Sequence, residues 1–415
     1  MAHKVLLITP SCYPTTGSEA IVNAKLVFAM IEKNWHVDVI TSDSAGYGYP
    51  AGEASFWNEV QQVSRIISAK SGWNFRHLLE HMRGCFRTSH SVRGLAWSGN
   101  AYPTADKLCR NNSYNAILSR TVPQSHLLAM KLSIKYKVPW IANWNDPFPR
   151  NKFPPPYGEG KDARLSAEMS RFFKNICRYA HWHTFPCQRL LDYINSYFPD
   201  NVKNRSSVVP HIALCDTAYN RLPKIKRDNP NIFKICHSGH LDRNRDPSVF
   251  FAGLKLFLSS LQVRRDIIIT FIGERTTYIE KKICQFGLER VINLVPSQNY
   301  YDSLSFLSCY DLALIIEAPC EEGVFLPSKT VDYLQLGLPI LAVSPEIGTL
   351  KDFIQKNHCG WIAHNASAES VCQSLTKAYT DWSNQEFSQM ELEHSLAGFR
   401  PEAVLQKYRS IIGKF

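Results

Sequence analysis

Long hydrophobic runs are missing from this 415-residue chain. No stretch of about 18 consecutive apolar residues occurs, which excludes a bilayer-spanning helix. The opening MAHKVLLITPSCYP has a short apolar core but no small-residue cleavage site. It reads as a first strand rather than a secretory signal, and a cytoplasmic chain is the expectation. Cysteine pairing is missing too: the 12 cysteines have no rhythm and read as buried free thiols. Cys177, His181, His183 and Cys187 carry zinc-type side chains, but their spacing matches no standard finger and runs from a helix into a strand, so the side chains should diverge. Low-complexity tracts, short repeats, a GxGxxG fingerprint and recognised nucleic-acid motifs are all absent, which argues against a repeat array, a classical dinucleotide enzyme and a nucleic-acid partner. Acidic residues are in deficit, with a net charge of +11. The excess concentrates between residues 61 and 110, where Arg65, Lys70, Arg76, Arg83, Arg87, Arg93, Lys107 and Arg110 face only Glu80 and Asp106. Such a face implies an anionic partner.

What is present is alternation. Lys4–Thr9, Val37–Thr41, Ala116–Ser119, Trp140–Trp144 and Trp182–Phe185 read as strands, with helices over Ser18–Lys33, Ser125–Tyr136 and Lys161–Tyr179 between them. A second cycle begins near residue 206. Its strands are Phe233–His237, Ile267–Ile272, Ile292–Val295, Leu312–Ile316 and Pro339–Val343. Its helices are Pro247–Ser260, Thr277–Phe286, Tyr301–Ser308 and Ser328–Leu336, and helices fill the end. The pattern predicts two doubly wound α/β domains with parallel sheets, 1–205 and 206–399, with a helix at about 400–415 crossing back onto the first. Length suits two cores rather than one.

In open parallel sheets ligands bind beyond the carboxyl ends of the strands, so the residues after each strand are the ones to weigh. Thr15-Thr16-Gly17-Ser18-Glu19 stands before the first helix, where a glycine and free N–H groups suit a phosphate; an ordinary helix cap explains it equally. Asn145-Asp146-Pro147-Phe148 offers a carboxylate to sugar hydroxyls, or is simply an Asx-Pro turn. In the loop Ser238 to Pro247, Gly239 permits close approach and Arg245 can place a guanidinium on a diphosphate, against the bland alternative of a solvated charged loop. The richest stretch is EAPCEEGVFLPSKTVDYLQLGLP, residues 317–339. There Ser328 opens a helix, Lys329 can neutralise a phosphate, and Asp332 one turn later can take a ribose diol. A capped helix with a Lys–Asp pair is its plain reading.

Together these stretches resemble glycosyltransferase family 4, the retaining enzymes of GT-B fold, over nearly the whole chain. Gly17-Ser18 corresponds to the first glycine loop. Pro139-Trp140-Ile141 followed by Asn145-Asp146-Pro147-Phe148 resembles a branch signature Arg-Asp-Pro-Trp, with Asn145 in place of the arginine. Gly239 and Arg245 match the second-domain opening, and His240 stands where arginine is common. Pro327, Lys329, Asp332, Tyr333, Gly337 and Pro339 match the last motif in order and spacing, with Asp332 for the usual glutamate. The acid expected eight residues earlier falls at Val324, and Glu321 or Glu322 would substitute.

The resemblance implies two facing domains around a cleft and a hexosyl-type transfer from a nucleotide-diphosphate sugar, with UDP as the expected nucleotide, to a saccharide or lipid-linked glycan. That is the chemistry of cell-surface polysaccharide or glycoconjugate synthesis. Arg245 and Lys329 would hold the diphosphate, with Gly17, Ser18, Gly239, Ser328, Asp332 and Glu322 around the donor. Glu19, Asn145 and Asp146 would line the acceptor side, and Asp146 would join the catalytic set. No metal or other cofactor is required in that scheme. Two other readings remain: a sugar-nucleotide 2-epimerase on the same scaffold, and a non-catalytic anion or nucleic-acid binder.

One segment falls outside that scheme. Trp73, Phe75, Leu78, Leu79, Met82 and Phe86 recur at helical spacing, while Arg76, Arg83 and Arg87 project elsewhere. The span 73–93 could meet an anionic membrane peripherally, or pack on its own domain beneath a solvated basic face.

Overall fold

Apolar runs that are buried on both faces make central parallel strands, and each needs a helical crossover to return the chain. A computed structural model describes residues 3–12, 17–42, 64–67, 75–223, 225, 229–261, 267–273 and 276–415. Thr15, Thr16, Lys70 and Trp73 lie outside these residues, as do the side chains of Arg65 and Arg76.

Among the described residues the first unit holds a seven-stranded sheet. Its strands are β1 (Lys4–Ile8), β2 (His36–Ser42), β3 (Ser64–Ile67), β4 (Ala116–Ser119), β5 (Trp140–Asn143), β6 (Trp182–Phe185) and β7 (Ser206–Val208). The order is β3-β2-β1-β4-β5-β6-β7, with every pair parallel. Its helices are α1 (Ser18–Glu32), α2 (Phe75–Thr88), α3 (Ala96–Asn111), α4 (Gln124–Tyr136), α5 (Ala167–Tyr179) and α6 (Gln188–Asn195). Helix α5 begins at Ala167 rather than Lys161, because Ser166 accepts the Met169 N–H at 3.2 Å and fixes the first turn there.

Among the described residues the second unit holds six parallel strands, β8 (Phe233–Ser238), β9 (Ile267–Gly273), β10 (Ile292–Pro296), β11 (Leu312–Ile316), β12 (Ile340–Ser344) and β13 (Gly360–His364), in the order β10-β9-β8-β11-β12-β13. Around them run α7 (Asp216–Tyr219), α8 (Ser248–Ser260), α9 (Thr277–Phe286), α10 (Tyr300–Leu307), α11 (Lys329–Gln335), α12 (Thr349–Asn357), α13 (Ala368–Ser383) and α14 (Leu392–Leu396). Helix α9 starts at a Thr276 side-chain cap and ends on Gly287 at φ 69°, a left-handed terminus suited to glycine. Strand β13 was not expected. Its residues alternate between half-buried and buried at the sheet edge and carry no continuous apolar run.

The division between the units falls after Cys215, not at 205. The polar stretch before residue 206 is only a turn, and β7 then adds to the first sheet in register with β6, His183 opposite Ser206. Pro155–Tyr157 belongs to the second unit. Phe399–Phe415 belongs to the first, where α15 (Pro401–Ile412) buries Val404, Leu405, Tyr408 and Ile411 and Glu402 pairs with Lys33 at 2.5 Å.

Candidate functional site

Each sheet reverses its winding once. The switch lies between β1 and β4 in the first unit, and between β8 and β11 in the second. A crevice opens at such a point because the flanking crossovers leave in opposite directions.

At the second switch point β8 ends on Ser238, and Gly239 follows at φ 130°. A side chain there would be strained, and its Cβ would lie 2.5 Å from Lys329 Nζ. The Lys329 ammonium donates to the Ser238 carbonyl at 2.6 Å. The Ser238 N–H in turn donates to the buried Tyr333 hydroxyl at 2.8 Å. Lys329 and Tyr333, one turn apart on α11, thus tie that helix to the end of β8. Desolvation, with the positive Arg245 second, lowers the Lys329 pKa to about 7. Repulsion between two positive groups is relieved by an anion, which makes this a candidate anion site.

Arg245 is exposed, and its Nε donates to Tyr157 Oη at 2.8 Å. Its loop is ordered rather than merely solvated. Asp242 Oδ1 accepts the N–H groups of Asn244 and Arg245 at 2.8 and 2.9 Å, and Asp246 accepts the Ser248 N–H at 2.9 Å as α8 begins. Burial, with Lys329 next, holds His237 neutral; its Nδ1 donates to the Leu314 carbonyl at 2.9 Å.

Asp332 accepts the Tyr300 hydroxyl at 2.6 Å on Oδ1. Ser328 precedes α11 without making a side-chain cap bond. Glu321 and Glu322 are both exposed. A further acid at this switch point was not among the sequence candidates. Glu317, directly after β11, has its pKa raised to about 7 by burial, against the opposing influence of Ser344 and Arg245. Its position after a continuous strand was the available signal, but the significance of that position depends on the strand order.

At the first switch point a polar cluster closes the strand ends. Thr9 and Thr121 hydroxyls meet at 2.9 Å, and Asn23 donates to Thr9 at 3.2 Å. Thr121 sits at φ 72°, an outlier for a β-branched residue of the kind that collects at functional sites. Asn145 donates to Glu19 at 3.5 Å and accepts from Arg120 Nη2 at 3.3 Å. Arg120, 4 % exposed, also donates to Tyr408 of α15 at 3.3 Å. Burial raises the Glu19 pKa, while Thr121, Arg120 and Asn145 pull it back. Glu19 and Asn145 are therefore brought together, through an arginine that lies outside the sequence motifs. Asp146 is exposed on the following loop. Gly17 and Ser18 are exposed at the start of α1, and the space where a Gly17 Cβ would stand is open.

The Cys177–Cys187 cluster is dispersed. His183 Nδ1 accepts the Trp144 indole N–H at 3.2 Å, and His181 Nδ1 faces the Trp140 N–H at 3.3 Å. Among the described residues no group of three or more His, Cys, Asp or Glu side chains could hold a metal ion.

Neither a protein-family model nor a curated protein sequence matches the chain. Solved structures do match in fold. Sucrose-phosphate synthase from Thermosynechococcus elongatus is 14% identical, covers 100% of both chains and gives a TM-score of 0.66. A glycosyltransferase from Rickettsia africae is 10% identical, covers 100% of this chain and 98% of its own, and gives 0.65. The UDP-GlcNAc 2-epimerase of Methanocaldococcus jannaschii, 12% identical over 90% and 92%, gives 0.52. The chain has the GT-B fold, two Rossmann-like doubly wound parallel-sheet units.

Proposed function

We propose that this chain is a glycosyltransferase, moving a sugar from a nucleoside diphosphate to a saccharide or lipid-linked glycan acceptor. One observation carries the reading: Lys329 lies against Gly239 at the second sheet's switch point, within electrostatic reach of Arg245. The likeness of the whole fold to transferases supports it, although fold alone does not assign chemistry.

In this reading the departing diphosphate gains negative charge, and fixed cations favour that state over the bound ground state. Lys329 and Arg245 supply them, with Ser328 and the Gly239 backbone beside the phosphates. Asp332, preset by Tyr300, takes the ribose. Glu317, or Glu322 on the loop that follows, faces the donor sugar. The cluster of Glu19, Asn145 and Arg120, with Asp146 beyond it, serves the acceptor. Retention of configuration, a UDP-linked hexosyl donor, no metal requirement and a cytoplasmic site of action complete the proposal. The fold likeness to a 2-epimerase supports isomerisation of the donor as the second reading.

Incubation with UDP, GDP and ADP sugars separates the two. Transfer releases nucleoside diphosphate in step with acceptor consumption, whereas an epimerase returns an isomerised donor. Arg245→Ala and Lys329→Ala should each lower turnover by about a hundredfold or more while the thermal midpoint stays near that of the parent. Near-normal turnover in both variants would reject the site.

A further inference from the structure

Helix α2 is inverted. Its buried stripe is Glu80, Gly84 and Thr88, while Phe75, Leu78, Leu79, Met82 and Phe86 are exposed. Phe75 is 76% exposed and Phe86 88%. At about 100° per residue these five side chains share one face, opposite the buried stripe.

The inner contact explains the inversion. A Cβ on Gly84 would lie 2.0 Å from the Leu95 carbonyl oxygen, and one on Gly99 would lie 2.6 Å from the Glu80 carbonyl oxygen. Helices α2 and α3 therefore meet backbone to backbone through small residues, and the large apolar side chains are left facing outward.

The surroundings are basic. Arg83 and Arg93 are exposed, and Arg87 donates to the Gly99 carbonyl while lying over the Tyr102 ring. Beside the last turn of α2 an open hollow of about 450 Å³ is lined by Arg87, Tyr102, Lys107, Arg110 and Asp106. Asp106 is already balanced by Lys135 at 2.6 Å and Arg110 at 2.8 Å. Glu168 accepts the Ser91 N–H at 2.9 Å, and Glu80 is buried on the inner face. The outward charge is thus positive.

We infer that α2 is a docking surface for an anionic phospholipid bilayer. The helix lies in the plane of the membrane, with Phe75, Leu78, Met82 and Phe86 in the boundary between headgroups and acyl chains. Arg83, Arg93 and the basic hollow meet lipid phosphates. A second copy of the chain fits less well, because face-to-face pairing would set these cations against each other. The large apolar residues and flanking arginines match what interfacial helices use.

Flotation with phosphatidylcholine vesicles, with and without phosphatidylglycerol, tests this and reads no sugar chemistry, so its outcome is independent of the transferase reading. The chain should float with the anionic vesicles. Leu78→Ser/Met82→Ser/Phe86→Ser should weaken that binding by at least about a hundredfold. Arg83→Glu/Arg93→Glu should weaken it by roughly tenfold or more. Thermal unfolding shows whether each variant is folded, and Phe86→Ser alone, at the most exposed of these positions, serves if the triple variant is not. Three results would overturn the inference: no flotation of the parent chain, undiminished flotation of the folded apolar variants, or a lipid-free dimer in sedimentation that the same apolar substitutions abolish.

Discussion

Lys329 is the residue on which most of the proposed chemistry converges. In the free chain its pKa is lowered to about 7, first by desolvation and then by Arg245. Below that pH the ammonium is present; above it the amine increasingly replaces it. A diphosphate favours the ammonium and raises the pKa, so binding above pH 7 must take up a proton. Affinity should then fall as pH rises, by up to about tenfold per pH unit until the bound-state pKa is reached. Calorimetry in two buffers of different ionisation heat reads the uptake directly, and Lys329→Arg, charged throughout, should abolish it. Unchanged uptake in that variant would assign the proton elsewhere. At this scale the sequence displayed Lys329, Asp332, Gly239 and Arg245, because their motif spacing is visible in one dimension. It did not display Arg120 or Glu317. Each is a single polar residue after a strand, and only the order of strands in the sheet puts it at a switch point.

Helices and strands were legible where burial is continuous. β11 and β12 are buried along their whole length, and their apolar runs announce them. Where a boundary rests on one cap, as at Ser166, or a strand lies at an edge, as with β13, composition carries little signal. Helix α2 is the instructive element: its periodicity was plain, but not which face turns inward. That choice rests on the close approach at Gly84 and Gly99. Gly84→Ala should push α2 from α3 and destabilise the fold by about 1–3 kcal/mol in denaturant unfolding. A change within about 0.5 kcal/mol would mean that the helices do not depend on this contact.

For the molecule as a whole, the two-unit division was readable from the two cycles of alternation, but its position was not. The edge strand Ser206–Val208 is too short and polar to declare which sheet it joins, and the return of Phe399–Phe415 to the first unit is a tertiary fact. The same fold serves transferases and an epimerase, so function must be argued from the anion receptor proposed in the second unit. Calorimetric titration with UDP, GDP and ADP, on the parent chain and on the folded double variant Arg245→Ala/Lys329→Ala, tests that receptor most directly. At least one nucleoside diphosphate should bind the parent and lose about a hundredfold or more in affinity to the variant. Binding of none of the three, or equal binding to both proteins, would contradict the account.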